Sequence, residues 1–277
     1  MNYEGPLRIP KNEKLSPDEA EVEARFAAQI QGRLDETIAE YLARFGTVID
    51  TDRARELCAD YSATKATRTR FSRAVYNPAK ALADEIYRRE IRRTAPLKRR
   101  RILFTSGGTG AGKSTALDWL AETTSPDDES NFLVDGTLSD HAAARAKIRR
   151  ALALGYNVTI LHVHREFREA VRGVVKRTVE DGRAVTLDNI AATHLRSKET
   201  LFKLKEEFGE RINLRVVENA GGEQARPISL AELAEKQGET VDQLREMAHG
   251  LLADEFASLK VDRPEIYEAF LQAGSRR

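Results

Sequence analysis

The 277-residue chain has a single cysteine, Cys58, so an intramolecular disulfide framework is excluded and a reducing, cytoplasmic compartment is expected. It has almost no net charge: 45 Lys and Arg stand against 44 Asp and Glu. That balance removes the bulk electrostatic case for nucleic acid, so nucleic acid is an unfavoured partner. No run of about 18 apolar residues occurs, so no membrane span is expected. The N-terminal stretch MNYEGPLRIPKNEK is polar and lacks the apolar core of a signal peptide. Apolar residues still make up 41% of the chain, enough for a sizeable core under a heavily charged surface.

Residues 1–15 hold two prolines and no periodicity, and read as a flexible arm. Residues 16–277 read as one domain: N-terminal helices, a first strand and a following segment over 16–97, a core over 98–220, and C-terminal helices over 221–277. Ser16-Pro17-Asp18-Glu19 has the order of a helix start. Phe26, Ile30, Leu34, Ile38 and Leu42 then recur at spacing four, which predicts one helix ending at Gly46. Five short apolar runs alternate with helical segments: Thr47–Ile49, Arg101–Ser106, Asn131–Val134, Val158–His164 and Ile212–Val217. This is the pattern of an α/β fold, a parallel sheet with helices on both faces and extra helices at each end. Pro96 marks a turn, and SPDDESN at 125–131 reads as a loop.

The strongest chemical signal follows Ser106. Gly107, Gly108, Thr109, Gly110, Ala111, Gly112, Lys113, Ser114 and Thr115 match G-x-x-x-x-G-K-[ST]. Small residues let backbone N–H groups curl around anionic oxygens, and the helix that follows adds its positive end. Lys113 is placed to reach β- and γ-phosphates, and Ser114 to bind Mg²⁺, so ATP and Mg²⁺ are the expected cofactors. Ligands of open α/β sheets lie beyond the carboxyl ends of strands, which points to Asp50, Asp52 and Asp135. His162 and His164 alternate in a strand without a visible third ligand and read as interior or rim histidines.

These residues resemble the zeta-toxin family of P-loop kinases. The resemblance rests on SGGTGAGKST and more strongly on VDGTLSDHAAARAKIRRALALGYNVTILHVHR, where a strand ends acid-Gly-Thr, a helix follows, and Gly-Tyr introduces the next strand. It implies transfer of the γ-phosphate of ATP to a hydroxyl of a small molecule such as a UDP-N-acetyl sugar, and a helical antitoxin partner. By the same resemblance Asp52 is the catalytic aspartate, Arg177 and Arg183 lie on the transferring phosphate, and Glu85 helps hold the acceptor. Asp135 and Thr137 form the strand end that organises phosphates and metal. The family places a V-I-D-x-D segment after the P-loop helix; here Val48-Ile49-Asp50-Thr51-Asp52 precedes it, as if moved to the front, and Ser139 stands where the family usually has arginine. Without an acceptor, the same residues would make an NTPase or a nucleotide-sensing module.

Overall fold

The computed structural model describes residues 7–94, 100–123, 130–220, 225–236, 238–258 and 270–271. The turn expected at Pro96 and most of the 125–131 loop lie outside these residues.

Ser16 opens α1 (Pro17–Gly32), its backbone N–H donating to the Glu19 carboxylate at 2.9 Å while Pro17 takes the first helical position. The single helix expected up to Gly46 is two helices. α1 ends at Gly32, Arg33 leaves helical geometry at φ −138°, and α2 runs Leu34–Phe45. The apolar stripe continues across the break because both helices bury the same side, Phe26 and Ile30 from α1 and Ile38 and Tyr41 from α2. Gly46 ends α2 at φ +61°.

β1 (Val48–Asp50) is followed at once by α3 (Thr51–Arg55), then α4 (Ala59–Ser62), α5 (Lys65–Phe71) and α6 (Tyr76–Arg93). Pro78 sits in the first turn of α6, where its missing N–H costs nothing. The central unit is β2 (Arg101–Ser106), α7 (Lys113–Thr123), β3 (Phe132–Asp135), α8 (His141–Ala153), β4 (Asn157–His164), α9 (Phe167–Asp181), α10 (Leu187–Phe208) and β5 (Ile212–Asn219). A short strand not foreseen from sequence, β6 (Ala225–Pro227), pairs antiparallel with β5; α11 (Leu230–Glu235) and α12 (Val241–Ser258) follow.

The sheet order is β1-β3-β2-β4-β5-β6, parallel throughout except at β6. The segment encoded before the glycine loop therefore joins the same sheet, beside β3, with Asp50 in register with Asp135. Alternation sorts the strand residues. Ile102, Phe104, Val134, Val158 and Ile160 pack with α1, α6, α8 and α10 through Phe26, Leu82, Ile86, Ile148 and Leu204. Leu103, Leu161, Val163 and Val217 face α7 through Ala116 and Leu120, with Trp119 half-buried beside them. Phe104 is fully buried, and truncating it to Ala would cost about 3–5 kcal/mol. α12 packs on α9 and α10 rather than on the sheet, through Leu244, Leu252 and Phe256 against Val171, Val174 and Ile190. No helix among the described residues is long and apolar enough to cross a membrane.

Candidate active site

The carboxyl ends of β1, β3, β2, β4 and β5 converge around the glycine loop. Gly110 and Gly112 have φ of +83° and +81°, which L side chains rarely adopt. Each also lacks room: a Cβ on Gly110 would run into the Ala170 carbonyl oxygen, and one on Gly112 into the Asn219 amide. The loop is pinned from several strand ends. Gly107 N–H donates to the Thr137 carbonyl at 3.2 Å, Arg165 donates to the Gly110 carbonyl at 3.2 Å, and Asn219 donates to the Ala111 carbonyl at 3.2 Å. From α10, Thr193 accepts the Thr109 N–H at 3.1 Å, and the His194 backbone fills the place a Cβ on Gly108 would take. The first N–H groups of α7, those of Lys113, Ser114 and Thr115, have no carbonyl within their own helix, and the dipole of that helix adds positive potential there. A preformed cradle without side chains in it fits a polyphosphate.

Lys113 opens α7. Burial lowers its pKa, while Asp135, Asp52 and Asp50 favour its charge and Arg177 opposes it. Asp135 ends β3; its Oδ1 accepts from the Thr105 hydroxyl, which also accepts the Gly136 N–H at 2.9 Å. Thr137 gives its carbonyl to Gly107, and its hydroxyl pairs with Ser139 at 2.9 Å. Between them Leu138 is held at φ +49°, a costly conformation for this residue at the base of the loop. Ser114 and Thr115 are exposed at the helix start. The hydroxyl of Ser114 and the carboxylate of Asp135 are hard oxygen donors of the kind Mg²⁺ takes.

Asp52 lies just past the end of β1, in the first turn of α3. Asp50 caps that helix, its Oδ1 accepting the Asp52 N–H at 2.8 Å. The turn aims the two acids differently. Asp52 lies in the field of Arg55, Arg177, Arg183 and Lys113, which together hold its carboxyl below the ordinary range against the opposing effect of burial. Asp50 faces acids: burial, Asp52 and Asp135 push its pKa up to about 7. Arg177, from α9, is disfavoured as a cation by burial and by Arg183 and Arg55, and favoured by Asp52; its Nε is buried without a hydrogen-bond partner. Arg183, just after α9, is held by the Asp181 carboxylate at 2.6 and 3.0 Å. The structure thus brings Asp52, Lys113, Asp135, Arg177 and Arg183 into one electrostatic cluster.

Glu85 is not part of that cluster. Its carboxylate is taken by Arg88 and Arg89 of its own helix, and Arg89 continues to Asp35. It lies nine residues beyond Tyr76, about 13 Å further along α6. The residue that sequence reading missed is Arg55, whose Nη1 is 3.1 Å from Asp52 Oδ1. It is one of two arginines in the segment TDRAR, and only its place on the buried side of α3 distinguishes it.

On the other side of the loop, His162 Nδ1 and Ser106 Oγ are hydrogen-bonded at 2.9 Å, and burial lowers the His162 pKa to about 3. His164, Glu166 and Glu218 bring one ligand atom each to within 4.8 Å of one another. Glu218, however, is already bound to Arg226 at 2.8 Å and to Lys236 at 2.6 Å. A cation there would have to displace two others, so this cluster is read as a salt-bridge network rather than a metal site.

The zeta toxin family profile matches residues 125–226. That stretch contains β3 to β5 and the start of β6, with Asp135, Arg177 and Arg183; the glycine loop and the Val48–Asp52 segment lie outside it. No curated protein matches the chain. Among solved structures, the chain is similar to one from the PezAT chromosomal toxin-antitoxin system of Streptococcus pneumoniae, at 13% identity and a TM-score of 0.36, over 63% of this chain and 95% of that one. It is also similar to one in the AvrRxo1-ORF1:-ORF2 complex, at 15% identity and a TM-score of 0.43, over 83% of this chain and 78% of that one. The resemblance to the zeta-toxin family read from the sequence is borne out over residues 125–226, a stretch that supplies β3 to β5 of the parallel part of the α/β sheet.

Proposed function

We propose that this protein transfers the γ-phosphate of ATP to a hydroxyl of a small molecule, with Asp52 as the acceptor's general base. The observation that carries the reading is that Asp52, encoded ahead of the glycine loop, lies in the field of Lys113, Arg177 and Arg183. In this reading the loop amides and Lys113 hold the β- and γ-phosphates. Ser114 and Asp135 would hold Mg²⁺, which would neutralise charge on the phosphate oxygens. Arg177 and Arg183 neutralise charge on the transferring group. Asp52 orients the hydroxyl and takes its proton. A carboxylate of low pKa suffices, because the proton leaves late in a loose transition state and position outweighs basicity.

The family resemblance supports a nucleotide sugar of the UDP-N-acetyl type as acceptor, a helical antitoxin as partner, and a V-I-D-x-D segment moved in front of the loop. The test is to incubate the full chain with γ-labelled ATP and a panel of nucleotide sugars, nucleotides and oligonucleotides. Label is expected on one class of hydroxyl compound. ATP hydrolysis at the same rate with and without every acceptor would contradict the reading and leave an NTPase.

A further inference from the structure

We infer that Arg55 is a positioning residue for Asp52: its buried guanidinium holds one carboxylate oxygen so that the other is presented to the acceptor hydroxyl. The inference rests on the reading of Asp52 as the base. Arg55 and Asp52 sit one turn apart on α3, with Nη1 to Oδ1 at 3.1 Å. The Arg55 side chain is 11% exposed, whereas Arg53, on the opposite side of the same turn, is 40% exposed and only 4.0 Å from Asp50 at its nearest. The Tyr76 ring centroid lies 5.3 Å from the Arg55 guanidinium carbon, in cation–π range. Arg55 Nε is buried and has no hydrogen-bond partner.

A guanidinium taken out of water with one carboxylate for company is an expensive arrangement for stability alone. It is an effective one for aiming a carboxylate. A general base must present an oxygen within about 3 Å of the proton it takes, and a free carboxylate rotates about its last bond. The charged and titratable groups facing the pair are Asp50 from β1, Tyr61 from α4, Tyr76 from α6, Lys113 from α7, Arg177 from α9 and Arg183 beyond it. Lys113, Arg177 and Arg183 are the groups a polyphosphate would engage. Arg55 then remains the cation committed to Asp52.

The experiment compares Arg55→Gln and Arg55→Lys in the full chain. For whichever acceptor of the panel takes the label, Arg55→Gln is expected to lower kcat by about 10- to 100-fold with KM for ATP changed less than about threefold. The acid limb of the kcat profile should move to higher pH, and Arg55→Lys should recover most of both. In parallel, ¹³C-labelled aspartate carboxyls are titrated by NMR, with the Asp52 resonance identified by its loss in Asp52→Asn. An upward move of that titration in Arg55→Gln, reversed in Arg55→Lys, supports the inference without any acceptor. An unmoved titration, or a kcat loss with an unshifted acid limb that Lys does not recover, overturns it. Normal turnover by Asp52→Asn would instead overturn the base reading itself, even where Arg55→Gln moves the Asp52 resonance.

Discussion

Asp50 and Asp135 stand opposite one another in register, at the carboxyl ends of the neighbouring parallel strands β1 and β3. Burial, and then the charges of Asp52 and Asp135, push the Asp50 pKa up to about 7, far above the model-peptide value of 3.8. The folded state therefore binds more protons than the unfolded chain between those two values. The contribution of Asp50 to stability therefore falls as pH rises across that window, because the unfolded carboxyl ionises first. The buried His162, His164 and His194, lowered to about 3, about 4 and about 4, act in the opposite sense, so the Asp50 contribution is read as a difference between proteins. In thermal melts of the metal-free protein between pH 4 and 8, Asp50→Asn should gain in Tm on wild type as pH rises. A Tm difference between the two that does not change with pH would contradict the raised Asp50 pKa.

The glycine loop gives a separate prediction. Gly110→Ala puts a Cβ against the Ala170 carbonyl at a residue with φ +83°. The strain should cost about 1–3 kcal/mol and misplace the loop amides. ATP affinity, measured by calorimetry, should fall by about tenfold or more. Affinity equal to wild type would mean that the loop does not hold the phosphates in this conformation.

Glu85 was expected at the acceptor site and is instead satisfied by Arg88 and Arg89. Glu85→Gln should leave KM for the acceptor within about twofold and lower Tm by a few degrees, because two arginines lose their carboxylate on a buried face. A large rise in acceptor KM with unchanged Tm would return Glu85 to the site.

Arg177 and Arg183 share Asp52 but differ in their other ties. Arg183 is anchored by Asp181, while Arg177 Nε has no partner. Arg177→Gln should reduce kcat by about 10³-fold, in the range of other arginines acting on transferring phosphates. Arg183→Gln should cost less, since Asp181 competes for its charge. Equal, small losses in both would mean that neither touches the phosphate.

Much of this architecture can be read from the residues, and the exceptions have physical causes. β2 matches its expected bounds, Arg101–Ser106, because a continuous apolar run is cut off by glycines. The break between α1 and α2 is hidden, because the spacing-four stripe runs through it and Gly32 is tolerated in helices. β6 is hidden because three residues containing a proline carry no strand pattern, and such a strand survives only at a sheet edge. The loop motif and the family resemblance single out Lys113, Asp135, Arg177 and Arg183, and these groups lie in one another's electrostatic field. Glu85 does not, since helix register alone decides whether it faces the site or its own arginines. Arg55 is invisible in a stretch where charge is common; only burial sets it apart from Arg53.

The central claim is that a carboxylate encoded before the phosphate loop works on the phosphate that loop holds. Single-turnover phosphotransfer by Asp52→Asn, with ATP binding measured on the same preparation, tests it most directly. The account predicts wild-type ATP affinity and transfer slowed by about 10²- to 10⁴-fold. Transfer at the wild-type rate would contradict it.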